Sequence, residues 1–410
     1  MPEAPAWQFK TVKRVPDRRT PDRLVVLTGR IFTGVAGGTI DDGFVRFADG
    51  RITGVGRRTE LGSGSEGATV REVTEGTIIP GLFNNHAHLA WDGANDLASQ
   101  ALEDTPEISA YKCAANMLRS LRAGVTTVRD LGMNRTGFFA KQAVAQGVFA
   151  GPKLIICGEA IVQTGGHTYW CCREASGADE MRRAVREQVR GGADLIKIMG
   201  CHDTLEFTDA ELDAVVDESH RNGLAITAHA TNDACIRRMV EHGVDIIEHG
   251  GNTSPETVQL LVERGTYIVT TLSPLILQAE EGDRWGMPAW KVEERRRAVA
   301  DRTRYDGLVA CARAGVPIVF GTDAGSPVVP HDAIAPELRF MVDLGICPDA
   351  EDALLSITGR SAAMNGLAGD RGVLREGLAA DIVVVDGDPL ADLAAIDRVA
   401  AVYLDGVRVA

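Results

Sequence analysis

From Ile78 onward, short apolar stretches alternate with longer segments whose apolar residues recur at three- to four-residue spacing. The short stretches predict strands at Ile78–Phe83, Val125–Arg129, Leu154–Cys157, Leu195–Met199, Ala225–Thr227, Asp245–Glu248, Tyr267–Thr270 and Pro317–Phe320. Between them lie amphipathic stretches, among them Ala178–Gly191, Asp209–Asn222, Asp233–His242 and Ser254–Arg264, each closed by a nearby glycine. Such alternation marks βα units around a parallel sheet, and about eight repeats is the number that closes a (β/α)8 TIM-like barrel. The expected fold class is therefore α/β.

The rhythm differs at the two ends. Arg23–Leu27, Gly43–Ala48 and Arg51–Val55 read as short strands separated by turns such as Asp49-Gly50, a small antiparallel unit. Asp381–Val385, the turn Asp386-Gly387-Asp388-Pro389 and the strand-like run Val399–Val409 repeat that character. The two ends are expected to meet in one small β-sandwich domain, residues 23–77 with 366–410, interrupted by a barrel over 78–365. A polar leader, 1–22, precedes them.

Composition narrows the class. A chain of 410 residues with 45% hydrophobic and 24% charged residues matches an ordinary globular enzyme. The net charge of -14 argues against a nucleic-acid partner. No apolar run has the length of a secretion signal or a membrane span, so the expectation is a cytoplasmic protein without a membrane partner. The 8 cysteines show no repeated paired spacing, which suits reduced thiols, and the adjacent Cys171 and Cys172 read as packing residues.

Candidate chemistry stands where the predicted strands end, because the site of such a barrel lies at the C-terminal ends of its strands. Pro80 to Leu89 reads Pro-Gly-Leu-Phe-Asn-Asn-His-Ala-His-Leu. Residues i and i+2 of a strand share a face, so His86 and His88 can clamp one ion. Lys197 lies in strand four, His229 follows strand five, His249 ends strand six, and Asp323 follows strand eight. Singly, each has an ordinary structural explanation: a hydrogen-bonded core histidine, a salt-bridged lysine, a helix-capping aspartate. Together they form a polar set that is costly to bury without an ion to satisfy it.

The set His86, His88, Lys197, His229, His249 and Asp323 resembles the ligand set of the amidohydrolase superfamily. Within it the chain looks most like the imidazolonepropionase-like and prolidase-like branch, which includes Xaa-Pro and Xaa-Arg or Xaa-Lys dipeptidases and ochratoxin-type amidases. The likeness runs through the chain after about residue 22, including Leu378 to Val384. It implies two divalent metal ions, zinc being the expected metal. His86 and His88 would hold one ion, His229 and His249 the other, with Lys197, carboxylated by carbon dioxide, bridging them. Asp323 would bind the first ion and serve as general base and then acid toward a metal-bridging hydroxide. Mononuclear relatives, including deaminases and imidazolonepropionase, do not use a carboxylated lysine, so Lys197 favours the amide-cleaving kind. Two positions depart from the family pattern: Asn84, where Asp is common, and Thr231, where an aromatic is common.

The resemblance also marks His167, in Gly165-Gly166-His167, and the position of Thr231 as substrate-facing candidates; His202, in Cys201-His202-Asp203 directly after strand four, is a further candidate by its place alone, with a solvated loop as the plain alternative. Ser273 to Lys291, with Trp285, Met287 and Trp290, is a candidate lid, with a packed surface loop as the plain alternative. Glu293 to Arg297 reads as a solvated helix face. The expected activity is hydrolysis of an amide bond in a dipeptide or N-acyl amino acid. The alternatives are a cyclic-amide hydrolase or heterocycle deaminase and, in a different class, a catalytically inactive binding scaffold. The expected partner is a small-molecule amide or dipeptide, and relatives of this branch often assemble as homo-oligomers.

Overall fold

Alternating apolar residues make the strands at the chain ends and aim them at a common core. Val25, Leu27 and Ile31 of Val25–Phe32, Val45 and Phe47 of Thr39–Ala48, and Ile382 and Val384 of Ile382–Asp386 join Ile52, Ile78 and Tyr403 in one apolar cluster. The computed structural model describes residues 24–62, 67–94, 96–201 and 204–410, so the expected leader 1–22 and His202 lie outside the described residues.

The end strands form one sheet of seven, in the order Val407–Arg408, Val399–Leu404, Ile382–Asp386, Thr69–Pro80, Val25–Phe32, Thr39–Ala48, Arg51–Arg57. One expectation is corrected here: in place of a sandwich of two sheets there is a single continuous sheet. The expected antiparallel unit is present, Thr39–Ala48 pairing antiparallel with both Val25–Phe32 and Arg51–Arg57, and Val25–Phe32 also pairs parallel to Thr69–Pro80. The reason is the 12-residue length of Thr69–Pro80, which lets it pair with a strand from each chain end, Val25–Phe32 on one edge and Ile382–Asp386 on the other. Ile78 and Ile79 consequently belong to this sheet, and the strand carrying the histidines is Leu82–Ala87. The chain crosses between sheets at Gly81, where a Cβ would lie 2.2 Å from Thr126 Oγ1.

The remaining strands run parallel, separated by helices whose ends carry ordinary stop and start signals. Thr208 and Glu211 form a capping box on Asp209–Arg221, Ser254 caps Pro255–Arg264, and Gly192 and Gly265 close their helices with left-handed backbone. The parallel strands form two arcs. One contains Leu82–Ala87, Val125–Asp130 and Lys153–Ile156. The other runs from Ile318–Val319 through Tyr267–Val269, Ile246–His249, Ala225–Ala230 and Leu195–Met199 to the short strands Ile161–Val162 and Arg173–Glu174.

A continuous closed ladder of eight strands is therefore not formed among the described residues. At one seam the last strand is only two residues long, and the ladder shrinks to a single parallel bridge between Ala87 and Ala324, supported by side chains: Asn84 Nδ2 donates to Thr322 Oγ1 at 2.8 Å and Thr322 N donates to Asn84 Oδ1 at 3.2 Å. At the other, the unforeseen strand Ile161–Val162 pairs with Leu195–Met199, and the two-residue strand Arg173–Glu174 takes the edge beyond it.

Ser273 to Lys291 is not a long loop but the helix Ser273–Glu281, a turn, and the start of the helix Ala289–Ala300. Glu293, Glu294, Arg296 and Arg297 are exposed on that second helix, as the charge run suggests. All eight cysteines are free. No helix among the described residues is long and apolar enough to cross a membrane.

Candidate active site

Parallel pairing decides which side chains share the interior. Lys197 is in register with Thr227, Met199 with His229, and His229 with Glu248, so these residues face the same side. His249 pairs with Ala230 and by regular alternation would face away. Its φ of 71° breaks the alternation and turns the ring inward, to centroid distances of 4.5 Å from His229 and 4.8 Å from His86. Asp323, with φ 56°, also stands in left-handed backbone. A non-glycine residue there costs about 1–3 kcal/mol, and such strain clusters where a side chain must be aimed.

The result is a chain of imidazoles. Ring centroids are 5.3 Å apart for His88 and His86, 4.8 Å for His86 and His249, 4.5 Å for His249 and His229, and 4.5 Å for His229 and His167. Three of them are anchored through Nδ1: His86 to Glu248 at 2.7 Å, His88 to the Gly132 carbonyl at 2.5 Å and His249 to Thr271 Oγ1 at 2.5 Å. Anchoring at Nδ1 leaves Nε2 as the ligand atom, the usual second layer of a metal site. Asp323 Oδ1 lies 3.5 Å from His86 Nε2 and 3.2 Å from His88 Nε2.

The electrostatics suit a cation. Burial, the dominant influence, pulls His86 down and His229 and His249 far down, favouring the neutral rings whose lone pairs bind metals. Burial opposes ionisation of Asp323, but the neighbouring His86 and His88 overcome it and hold the carboxyl below its ordinary value. Burial also lowers Lys197. Asp323 Oδ1 is enclosed without a hydrogen-bond donor, and His86, His88 and Asp323 present ligand atoms within 4.8 Å of one another. An orphaned anionic oxygen facing two anchored imidazoles fits a divalent cation.

Two residues essential to this arrangement were not assigned a role from sequence. Glu248 is fully buried and accepts from Arg129 Nη1 at 2.7 Å and Thr227 Oγ1 at 2.5 Å as well as holding His86. Burial opposes its ionisation, yet Arg129, His86 and Lys197 hold the carboxyl well below the usual carboxylate range. The available signal was a charged residue inside each of the apolar strands Val125–Asp130 and Ile246–His249.

A cavity of about 190 Å³ opens over these groups, and His86, His88, Lys197, His229, His249, Asp323 and His167 all line it. The rest of its wall is largely apolar, with Trp91, Leu97, Leu131, Met133 and Met199, beside Cys171 and Cys172. Two expectations change. Thr231 does not line the cavity; the chain turns aside after Ala230, and Gly251 passes so close that a Cβ there would sit 2.0 Å from Thr231 O. No residue of 273–291 lines it either, since that segment packs as helices.

Comparison with known proteins places these residues in context. The model of the amidohydrolase family matches residues 77–409. The ochratoxinase of Aspergillus niger is 29% identical over 355 residues, spanning 77% of this chain and 71% of that protein. Among solved structures, a Xaa-Pro dipeptidase with methionine bound in its active site superposes with a TM-score of 0.84 at 25% identity, covering 94% of this chain and 99% of the other. A prolidase complexed with N-methylphosphonate-L-proline gives 0.83 at 28% identity, with the same coverage.

Proposed function

The chain belongs to the amidohydrolase family and is a hydrolase acting on carbon–nitrogen bonds, and from that premise we propose that it cleaves the amide bond of a dipeptide or N-acyl amino acid. The observation that carries this reading is the convergence of four imidazoles, Lys197 and Asp323 on one cavity with an apolar wall. We read the two parallel arcs as one distorted (β/α)8 barrel, joined at one seam by the bridge between Ala87 and Ala324 and the Asn84–Thr322 side-chain hydrogen bond.

His86 and His88 with Asp323 would hold one divalent ion, expected to be zinc, and His229 and His249 a second. Lys197 would be carboxylated and help hold the ions through its carbamate oxygens, because burial favours the neutral amine that reacts with carbon dioxide. Divalent ions bound there would polarise the scissile carbonyl and lower the pKa of a water toward neutrality.

Asp323 accepts a proton from the attacking water and returns it to the leaving nitrogen, a role suited to a carboxylate held ionised beside two histidines. His167, which lines the cavity with its ring 4.5 Å from that of His229, orients the substrate carbonyl. Glu248 and Arg129 position His86, and the apolar wall excludes bulk water from the amide. The free amino acid bound in the Xaa-Pro dipeptidase relative and the prolyl phosphonate bound in the prolidase are in keeping with an amino-acid-derived substrate.

The test is incubation of zinc-supplied protein with N-acyl amino acids and dipeptides in one set and nitrogen heterocycles in another. Release of a free amino acid, abolished by a chelator and regained with zinc, is the expected result. Ammonia release from heterocycles alone would replace this reading with a deaminase.

A further inference from the structure

We propose that Cys171 and Cys172 are a modification site: a dithiol in the wall of the active-site cavity that hydrogen peroxide oxidises reversibly to a disulfide, lowering hydrolysis while the bridge lasts. The site itself does not depend on which carbon–nitrogen bond the protein cleaves.

Position singles out this pair. Both side chains line the cavity that His86, His88, Lys197, His229, His249 and Asp323 also line. They are the two half-buried cysteines of the chain, and the other six are buried. A peroxide that enters a cavity of about 190 Å³ therefore reaches these sulfurs before any other.

The two thiols also converge on one residue. Cys171 Sγ donates to Thr168 O at 3.4 Å, and Cys172 Sγ lies 3.5 Å from Thr168 Oγ1. Cys171 ends the turn Tyr169–Cys171, and Cys172 follows in extended backbone. Hydrogen bonding from Cys171 outweighs burial and holds the Cys172 thiol below its ordinary value, whereas the same contact and burial raise Cys171. The pair is thus divided into an attacking and a resolving sulfur, and accessible sulfur with thiolate character oxidises first.

The chemistry balances with peroxide as the oxidant. The Cys172 thiolate attacks one peroxide oxygen and the O–O bond breaks; the sulfur becomes a sulfenic acid, and the departing hydroxide takes up the proton that Cys172 had released. Cys171 Sγ then attacks that sulfur, the S–S bond forms, and the sulfenic oxygen leaves as a second water with the Cys171 proton. The two thiols lose two electrons and the peroxide gains them. Adjacent Cα atoms are about 3.8 Å apart, below the roughly 4.4–6.8 Å of ordinary disulfides, so the bridge is readily reduced by a solution thiol.

The bridge takes both sulfurs from Thr168, which stands in left-handed backbone at φ 54° and donates its hydroxyl to His167 O at 2.7 Å. Trp170, in the same turn, packs on Trp91 at a ring distance of 6.0 Å, and Trp91 on His88 at 4.6 Å. Closing it shifts the wall on the His167 side and on the Trp91 side together.

Zinc-supplied, desalted protein is treated with limiting hydrogen peroxide, denatured, alkylated and digested with trypsin. The peptide 154–173, which also holds Cys157, should lose two hydrogens and keep only Cys157 open to alkylation. Cys171 and Cys172 should be consumed about tenfold or more faster than the other cysteines, and dithiothreitol should restore both. Cys171→Ser should stop at a sulfenic acid on Cys172, captured by dimedone, and Cys172→Ser should lose the fast oxidation.

A bridge between Cys201 and Cys235 instead, consumption of all eight thiols at one rate, or no loss of hydrogens in that peptide overturns the assignment. Hydrolysis should fall about tenfold or more with the bridge and return with dithiothreitol, and an unaltered rate in fully bridged protein removes the effect on the site. Absence of hydrolysis in the reduced protein removes the proposed reaction, and the peptide masses alone then decide the dithiol.

Discussion

Replacing Arg129 by methionine isolates the charge that keeps the site's central carboxylate ionised. Arg129 and Glu248 are 1% and 0% exposed, and the pair is closed by Nη1 to Oε1 at 2.7 Å. The guanidinium also donates to Asn85 O at 3.3 Å, while Nη2 has no acceptor. Methionine keeps the apolar stem and removes the charge, leaving Glu248 with Thr227 and His86 as its remaining partners. Breaking a buried pair from one side costs about 3–5 kcal/mol, because the surviving charge is uncompensated.

That loss should appear in urea unfolding of the metal-free protein as a lower midpoint at an unchanged slope. Glu248→Gln in the Arg129→Met background should recover about 2 kcal/mol or more, since a neutral amide no longer requires a cation. A loss below about 1 kcal/mol for Arg129→Met, or strict additivity in the double variant, would refute the view that this pair holds the interior charge.

Other consequences are measurable independently. Asp323→Asn should lower kcat by about 10²–10⁴-fold while circular dichroism stays native, and an active variant would remove Asp323 from proton transfer. Burial drives His331 down to about 4, with Nε2 against Trp91 O at 3.0 Å and Nδ1 unpartnered. The unfolded chain takes up that proton first, so the associated stability is full above about pH 6.5 and falls by about 3 kcal/mol as pH drops toward 4. Histidine 331 to glutamine, His331→Gln, should flatten the stability profile in that window, and an unaltered profile would exclude this histidine as its source. Gly325→Ala should destabilise and inactivate together, because Gly325 has φ +100° and a Cβ would lie 2.6 Å from His88 O; a variant with wild-type melting temperature and rate would contradict that close approach.

Much of the site was legible because its residue types are unusual in their local settings. His86 and His88 share a face through simple strand parity, and both fall where an apolar run ends. Lys197 is conspicuous in Leu-Ile-Lys-Ile-Met, and the strand Leu195–Met199 and helix Ala178–Gly191 carry the bounds their patterns predict. The seams were not legible. A two-residue last strand and the short strand Ile161–Val162 depend on partners far along the chain, which local periodicity does not encode.

What the sequence determined by itself is therefore the alternation of strand and helix and the presence of metal-binding side chains at strand ends, both properties of short stretches. Tertiary structure alone decided how those side chains meet. Parity would have sent His249 outward, and a left-handed residue turned it in; Glu248, unremarked in its strand, became the ion that Arg129, Thr227 and His86 share. Thr231, expected at the substrate, was carried off the wall by the close passage of Gly251. These outcomes arise from contacts between residues distant in the chain, where one backbone torsion or one buried charge reorients a group that local pattern leaves free.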